Sequence, residues 1–513
     1  KLWKQLRLKD KILYFANVPT DLQLGKYLED HGFEIYGIID VPDLLKKSFK
    51  EQKIVTYQKT WYFRDHMKDS FTKKIDEGYL IDFEKKYSID LWKLVYTDRN
   101  LYFFNDYHIF NHNEILRIVE QTARFFENIL LEINPSYVWI HVPDYFHIEL
   151  LYELCKSKGI KILTLSSARF PRRHIISETT DKLDNAESIF SVVDDCNLKS
   201  FEELKALTKN TYKSIAPEEL GIMLSNKIKI KGFWHYFFSV INDDYKKFYF
   251  NFGRTRLKIL SNEISKFLKR FLRGFFINKN LKKQINLDTP FVLFPLHVIP
   301  ERSTLSVASY YTNQIETIRH IAKSLPINYK LYVKEHPIQI VNGWRKTSFY
   351  KQILEMPNVE LLHPSFSNED LLSNCSLVAA IAGTTAFTAA FYQKPSIVFG
   401  DVLFSELPSV HRVKTLEELP LIMKNALASK VKINDLNQFV NILFKNSFEL
   451  DFYGIMAPMV KQFFYDGFTT DVYIPNDDLK KFLDSKKNLI DIWGSELIKK
   501  IEEHKKMNIK NEI

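Results

Sequence analysis

Between residues 330 and 400 the sequence leaves room for little but a parallel sheet. Tyr332-Val333-Lys334 is a short run that stops at Glu335-His336-Pro337. Asn358-Val359-Glu360-Leu361-Leu362 is a second, and Leu377-Val378-Ala379-Ala380-Ile381-Ala382 a third that stops at Gly383-Thr384-Thr385. Ser396-Ile397-Val398-Phe399 is the fourth and stops at Gly400. Stretches of helix length lie between them. One opens at Ser367 with Asp370 three residues on, the spacing of a capping box, ahead of Leu371-Leu372. Short strands alternating with helices make right-handed βαβ crossovers, and so a parallel sheet covered on both faces. Ligands of such sheets bind outside the carboxyl ends of the strands. His336 and Thr384 both fall there, so the pattern predicts that they face one crevice.

At 513 residues the chain is too long for one core and suits two domains with added elements. We read residues 1–200 as a first Rossmann-like domain. Its strands are expected at 11–16, 33–39, 137–140 and 161–165, and its helices at 22–31, 115–133 and after Phe146. No GxGxxG follows the first strand, so no dinucleotide is expected. Residues 201–285 form a basic, aromatic helical linker. Residues 286–430 form a second Rossmann-like domain opening at Pro290-Phe291-Val292-Leu293-Phe294-Pro295, and 431–513 a helical C-terminal region. Pro458 is expected in the first turn of a helix that ends before Gly467.

Charge is unevenly spread. The net charge is +10, yet residues 227–283 hold 15 Lys and Arg against Asp243, Asp244 and Glu263. The remainder is about neutral, which argues against a nucleic-acid binder. Within that segment, Phe267-Leu268-Lys269-Arg270-Phe271-Leu272-Arg273 can place aromatics on one helix face and cations on another. It reads either as a solvated linker or as a surface that sits on anionic lipid headgroups. Cys155, Cys196 and Cys375 are odd in number and lack metal-ligand spacing, so neither disulfides nor zinc are expected. The first residues do not read as a signal peptide, and no run approaches the ~18 apolar residues of a membrane span. The expectation is a cytoplasmic chain, peripheral to the inner membrane face if it meets a membrane.

The strand ends carry the chemistry. Gly383 allows a tight turn, and Thr384 and Thr385 set hydroxyls beside a helix start, either as a phosphate cradle or as a simple cap. Pro337 fixes the loop that holds His336, whose imidazole can donate to a phosphate oxygen. Glu301-Arg302 lies at a third strand end, where Arg302 offers a cation to a diphosphate or an acidic sugar. In the first domain, Asp144 and His147 follow a strand and Pro143, and either could take a proton from an acceptor hydroxyl, while Asp144 reads also as the cap of the following helix. Arg169, Arg172 and Arg173 could hold an anionic acceptor. No DxD ends a strand, so no metal is expected, and helix dipole and cations would meet the leaving charge.

The motifs Pro295-Leu296-His297-x-x-Pro300-Glu301-Arg302, Val333-Lys334-Glu335-His336-Pro337, Pro357-Asn358-Val359, Ala382-Gly383-Thr384 and Lys394-Pro395-x-x-x-Phe399-Gly400 together resemble the bacterial capsule and surface polysaccharide biosynthesis family. The resemblance covers about residues 290–410 and includes Kdo-transferase-like members. It implies a two-domain GT-B glycosyltransferase with a central cleft. It also implies a nucleotide-sugar donor, most readily a CMP-sugar, on the second domain, with His336 near its phosphates. A growing surface polysaccharide or glycolipid would be the acceptor, with no cofactor beyond the substrate itself. A nucleotide-sugar 2-epimerase and a non-catalytic assembly subunit of the same fold are the alternatives. Where the family reads Gly-Thr-x-Gly-x-Glu-Ala, this chain reads Gly383-Thr384-Thr385-Ala386-Phe387-Thr388-Ala389, without the Glu that often holds the ribose.

Overall fold

The computed structural model describes residues 10–68, 72–103, 105–191, 199–208, 226–239, 248–467 and 469–511. Two sheets carry the chain. The first domain supplies β1 (Lys11–Ala16), β2 (Glu34–Ile39), β3 (Lys59–Tyr62), β4 (Tyr137–Trp139), β5 (Lys161–Ser167) and β6 (Arg173–Ser177). The second supplies β7 (Phe291–Pro295), β8 (Lys330–Lys334), β9 (Val359–Leu362), β10 (Leu377–Ala380), β11 (Ser396–Val398) and β12 (Val410–Arg412), and β13 (Phe448–Glu449) follows late in the chain. The first sheet runs β13-β6-β5-β4-β1-β2-β3 and the second β12-β11-β10-β7-β8-β9. All pairs in the second sheet are parallel, with register such as Leu293↔Tyr332 and Leu377↔Val292. Strand order reverses between β1 and β4 in one sheet and between β7 and β10 in the other. Those two switch points are where doubly wound sheets open a crevice.

Helices cover both faces of each sheet. The ones needed below are α1 (Thr20–Asp30), α2 (His112–Ile133), α3 (Phe146–Ser157), α4 (Asn226–Ser239), α5 (Arg256–Asn280), α6 (Gln314–Ser324), α7 (Asn368–Asn374), α8 (Thr385–Phe391), α9 (Ile433–Lys445), α10 (Phe452–Phe463) and α11 (Asn476–Asn511). Helix α2 starts where Asn111 and Glu114 form a reciprocal capping box. Helix α7 starts at the Ser367 cap read from the sequence, and Leu371 and Leu372 are buried behind it. No described helix is long and apolar enough to cross a membrane. Cys155 and Cys375 are buried free thiols, and Cys196 lies outside the described residues.

The C-terminal stretch is helical, and its second half packs on the first domain. After Asn446 the chain returns there: β13 pairs antiparallel with β6, Phe448 opposite His174. The α11 residues Leu483, Ile490, Trp493 and Leu497 then share a core with Trp139 and Ile12. Pro458 sits inside α10 rather than in its first turn, because Asp451 caps the helix six residues earlier than expected. The residue four before the proline is Gly454, which has no side chain to add to the crowding of the pyrrolidine ring. A further buried cluster joins the two domains. Phe170 of the first packs edge-on against Phe387 and Phe391 of the second, at centroid distances of 5.6 and 6.0 Å. Each such fully buried side chain contributes roughly 1.5–3 kcal/mol, so the domains are held together and not merely tethered.

Four strands escaped the sequence reading: β3, β6, β12 and β13. Short β3 pairs only with β2, at the sheet edge. The stretch 166–173, read as a loop at the carboxyl edge, is instead a hairpin. Arg169 and Arg172 adopt left-handed φ (+63° and +56°) and return the chain antiparallel as β6.

Candidate functional site

The second-domain wall is built at its switch point. His297 follows β7, and its Nε2 accepts the Ala382 N–H from the end of β10 at 3.5 Å. Its proton therefore sits on Nδ1, which is 3.3 Å from Ser303 Oγ and 3.5 Å from a Glu301 carboxylate oxygen. Gln314 of α6 fixes the His297 backbone on both sides, through N–H (3.0 Å) and C=O (3.2 Å). Gly383 is required here for space, because a Cβ would stand 3.0 Å from His297 Cε1. Burial pushes the Glu301 carboxyl up, but His297, Ser303 and His336 outweigh it and hold the carboxyl below its ordinary range.

His336 is held as a hydrogen-bond donor. Its Nδ1 accepts the Ile338 N–H at 3.2 Å, and Pro337 begins the short turn beyond it. Burial lowers the imidazole pKa, and Glu301 and Glu335 oppose that without reversing it. The neutral ring thus carries its proton on Nε2. The loop itself is clamped from beneath. Glu335 is fully buried, accepts from Arg345 (2.8 and 3.3 Å) and Tyr350 (2.6 Å), and takes the His336 N–H at 2.6 Å. Lys334 is buried against Asn368, and desolvation pulls its ammonium down to about 8.

Thr384 and Thr385 open α8 half-buried, and no hydroxyl of Thr384 caps the helix. In place of the expected Glu, Thr388 turns its hydroxyl back onto the Thr384 carbonyl at 3.0 Å and offers nothing to a ribose. Arg302 does not face a donor. Its guanidinium crosses to the first domain and donates to the Pro143 carbonyl (2.6 Å), Thr180 Oγ1 (2.9 Å) and the Asp181 carboxylate. With Ser306 donating to Glu149, it ties the β7 end to the β4–β5 edge.

On the first-domain wall the expected residues separate. Asp144 is half-buried and pairs with Arg99, which also lies over the Tyr145 ring at 4.7 Å. It does not cap α3; the buried Asp98 takes the Phe146 N–H instead, at 2.8 Å. Burial raises the Asp144 carboxyl above its ordinary value, against the opposing pull of Arg99, His147 and Arg302. His147 has no exposed surface. Its Nε2 lies 3.0 Å from Asp40, its Nδ1 3.3 Å from the Tyr249 hydroxyl, and its ring stacks on Phe63 at 4.6 Å. It belongs to the core and cannot meet an acceptor, contrary to the expectation from sequence. Arg169 is occupied by Asp181 (3.0 Å), and Arg173 lies over Phe444 at 4.1 Å and donates to its carbonyl.

A different pair stands at this switch point. His141 lies two residues past β4 with Nε2 2.9 Å from Asp21, which is wholly buried near the start of α1. The other Asp21 oxygen takes the Asn17 and Val18 N–H groups at 2.8 and 3.0 Å. Burial pulls the His141 pKa down, but Asp21 and Asp144 outweigh it and raise it. Sequence reasoning missed this pair because the partners are 120 residues apart. The only available signal was a His placed just past the strand. Among the described residues, Glu178, Asp184 and His504 offer ligand atoms within 4.8 Å of one another. Lys161 and Lys500 already neutralise those carboxylates, at 2.8 and 2.9 Å.

Two Rossmann-like domains with polar groups at both switch points give the chain a GT-B-like architecture. Residues 217–417 match the family described as capsule polysaccharide biosynthesis protein, bearing out over that stretch the resemblance read from its motifs. Similar solved structures include two from Thermosulfurimonas dismutans. The KpsC β-Kdo 2,7 transferase is 10% identical, covering 62% of this chain and 89% of that one, with a TM-score of 0.28. The KpsC β-Kdo 2,4 transferase is 12% identical, covering 62% and 93%, with a TM-score of 0.29. A Methanocaldococcus jannaschii UDP-GlcNAc 2-epimerase in complex with UDP-GlcNAc and UDP is 12% identical, covering 85% and 99%, with a TM-score of 0.25. At these values none of the three speaks to substrate or reaction. The chain has no match among curated proteins.

Proposed function

We propose that the chain is a cytoplasmic glycosyltransferase that moves a sugar from a nucleotide-sugar, a CMP-sugar in the first instance, to a surface polysaccharide or glycolipid acceptor. The observation that carries this reading is the convergence of His297, Glu301, His336 and Gly383-Thr384 at the second switch point, with Asp144 across the Arg302 bridge. The His336 Nε2–H and the hydroxyls of Thr384 and Thr385 would bind the phosphate of the donor. Glu301 would accept from a sugar hydroxyl. Asp144 would take the acceptor proton as the new bond forms at the anomeric carbon. The bond to the phosphate oxygen breaks, and the nucleotide leaves with its electron pair. A carboxyl raised by burial is a better base than an exposed one. No metal or further cofactor enters this scheme.

A thermal-shift panel of CMP, CDP, UDP, GDP and dTDP tests it. A ligand held only by the folded chain at 100 times its Kd adds about 2.7 kcal/mol. Stabilisation by CMP, reduced in His336→Ala, supports the reading. A response to UDP alone with turnover lacking an acceptor would replace it by the 2-epimerase. No response to any nucleotide would leave a non-catalytic subunit.

A further inference from the structure

Helix α5 wears its polarity inside out. On a helix lying against a globular domain, apolar side chains turn inward and cations outward. Here the inward face carries Ile259, Phe276 and Ile277, and two arginines beside them. Arg270 donates to the carbonyls of Ile340 and Val341 (3.1 and 3.2 Å), and Arg273 to those of Gly343 and Trp344 (3.2 and 2.8 Å). Gly274 gives room to Trp344 on the same side. Near the N-terminal end, Lys258 reaches the Tyr107 carbonyl at 3.0 Å, so the helix is fastened to both domains.

The outward face is apolar. Leu257, Leu260, Ile264, Leu268, Phe271 and Phe275 recur at three- and four-residue spacing, and Leu257, Phe271 and Phe275 are 81%, 71% and 69% exposed. Helix α4 continues the surface with Ile230, Trp234 and Phe238, each about half exposed or more, at four-residue spacing. The two helices touch where Phe233 packs on Ile259 and Arg256 lies over Phe237 at 5.3 Å. Side chains of this size and exposure make a patch on the order of 1,000 Å², beyond the 300–600 Å² that a monomer carries.

We infer that this face inserts into the headgroup–acyl boundary of an anionic lipid surface. Charge decides between the candidate occupants. Residues 256–283 carry nine Lys and Arg against the single acid Glu263. Lys269, Lys279 and Lys283 have no acidic partner among the described residues. A second copy docked through the same face would set two cationic rims against each other. Anionic headgroups meet the rim while acyl chains receive the stripe, as for a helix lying in the membrane plane. The stripe runs from Leu257 to Phe275, roughly 27 Å of a 25-residue helix. The sequence pattern places aromatics and cations on separate helix faces without saying which one meets the lipid. The structure commits Arg270 and Arg273 to the protein and gives the lipid contact to the leucines and phenylalanines. This inference is independent of the reaction proposed for the cleft.

Co-sedimentation of the full chain tests it, with vesicles of three parts phosphatidylcholine to one part phosphatidylglycerol and with phosphatidylcholine alone. The chain should pellet with the anionic vesicles and less with the neutral ones. Added salt should weaken binding without abolishing it, because the apolar share is not screened. Leu268→Asp with Phe271→Asp should lower binding by about a hundredfold with the melting temperature unchanged, since both residues are exposed. Acyl-chain bromine should quench the wild-type fluorescence, and Trp234→Phe should remove that quenching. This last comparison decides alone if the aspartate variant folds poorly. A chain that stays in the supernatant overturns the inference, as does undiminished pelleting of a well-folded aspartate variant. A vesicle-free dimer that the aspartates dissociate would also overturn it, assigning the face to a second copy.

Discussion

The two walls of the cleft are both built from strand ends, yet they differ in how their groups are held. On the second-domain wall the two groups nearest the proposed ligand are positioned largely by neighbours on their own strand ends. His336 is fixed by Ile338 two residues on, and Glu301 by Ser303 and His297. On the first-domain wall every group is assigned its role by a distant partner: Asp144 by Arg99, His147 by Asp40, His141 by Asp21. A site made of local motifs can be read from sequence. A site made of long-range pairs cannot, because the residue that decides between base and core histidine lies on another strand.

The sharpest way to break this contrast is at the first wall. Asp144→Asn removes the proposed base while keeping the side chain's size. Turnover should fall by about 10²–10⁴ with the nucleotide thermal shift retained. In the unaltered chain the acid limb of the rate profile should lie above the ordinary carboxylate range, since burial raises the Asp144 carboxyl. An Asn variant that turns over normally would move the base to His141, whose partner Asp21 is 120 residues away.

His147→Ala should act on folding instead. It empties a packed aromatic site and leaves buried Asp40 without one of its two side-chain partners, costing about 2–4 kcal/mol in denaturant unfolding. Activity per folded molecule should be kept. Burial pushes the Asp40 carboxyl up, but Arg64 and His147 outweigh it and hold it well below the usual range. A depressed carboxyl stabilises fully above its unfolded pKa of about 4 and loses that contribution as pH falls through the folded value. Wild type and variant should therefore converge in stability as the solution is acidified.

The sequence made the second sheet legible in detail. Five of its six strands are short apolar runs, and Pro337, Gly383 and Gly400 mark the carboxyl ends of β8, β10 and β11, whereas β12 carries no such signal. The Ser367 cap was visible for the same reason, being a contact across three residues. The β6 hairpin was not visible, because Arg169 and Arg172 give no glycine signal at their left-handed positions. Arg302 was read correctly as a strand-end cation but assigned to a ligand. Its partners Pro143 and Asp181 belong to the other domain, and the pattern of one segment cannot show which cation a neighbouring domain will claim. Pro458 misled for a related reason: proline marks a first turn by preference, and the Asp451 cap upstream overrode it.

Gly383→Ala tests the local wall at its tightest contact. The added methyl would meet His297 at 3.0 Å, and that ring is held by Ala382 and Ser303 and cannot swing freely. Overpacking of this kind costs about 1–3 kcal/mol. The nucleotide response should weaken as Glu301 loses its partner. An unchanged thermal shift in a stable variant would detach His297 from the site.

The smallest expected effect separates local geometry from ligand contact. His336→Ala should weaken nucleotide binding by about tenfold, the loss of one hydrogen bond to a charged group, with little change in melting temperature. Its pH dependence carries the sign. Burial lowers the His336 pKa in the folded chain, so between the unfolded value of about 6.5 and the folded one the unfolded chain binds the extra proton. Wild type therefore loses stability in that window as pH falls, while the Ala variant lacks this contribution. A bound phosphate places a negative charge beside the ring, which raises its pKa and narrows the window. Saturating nucleotide should then reduce the wild-type loss and leave the variant's profile where it was. If nucleotide shifts both profiles equally, the phosphates lie elsewhere on this wall, and His336 serves only to cap the turn at Ile338.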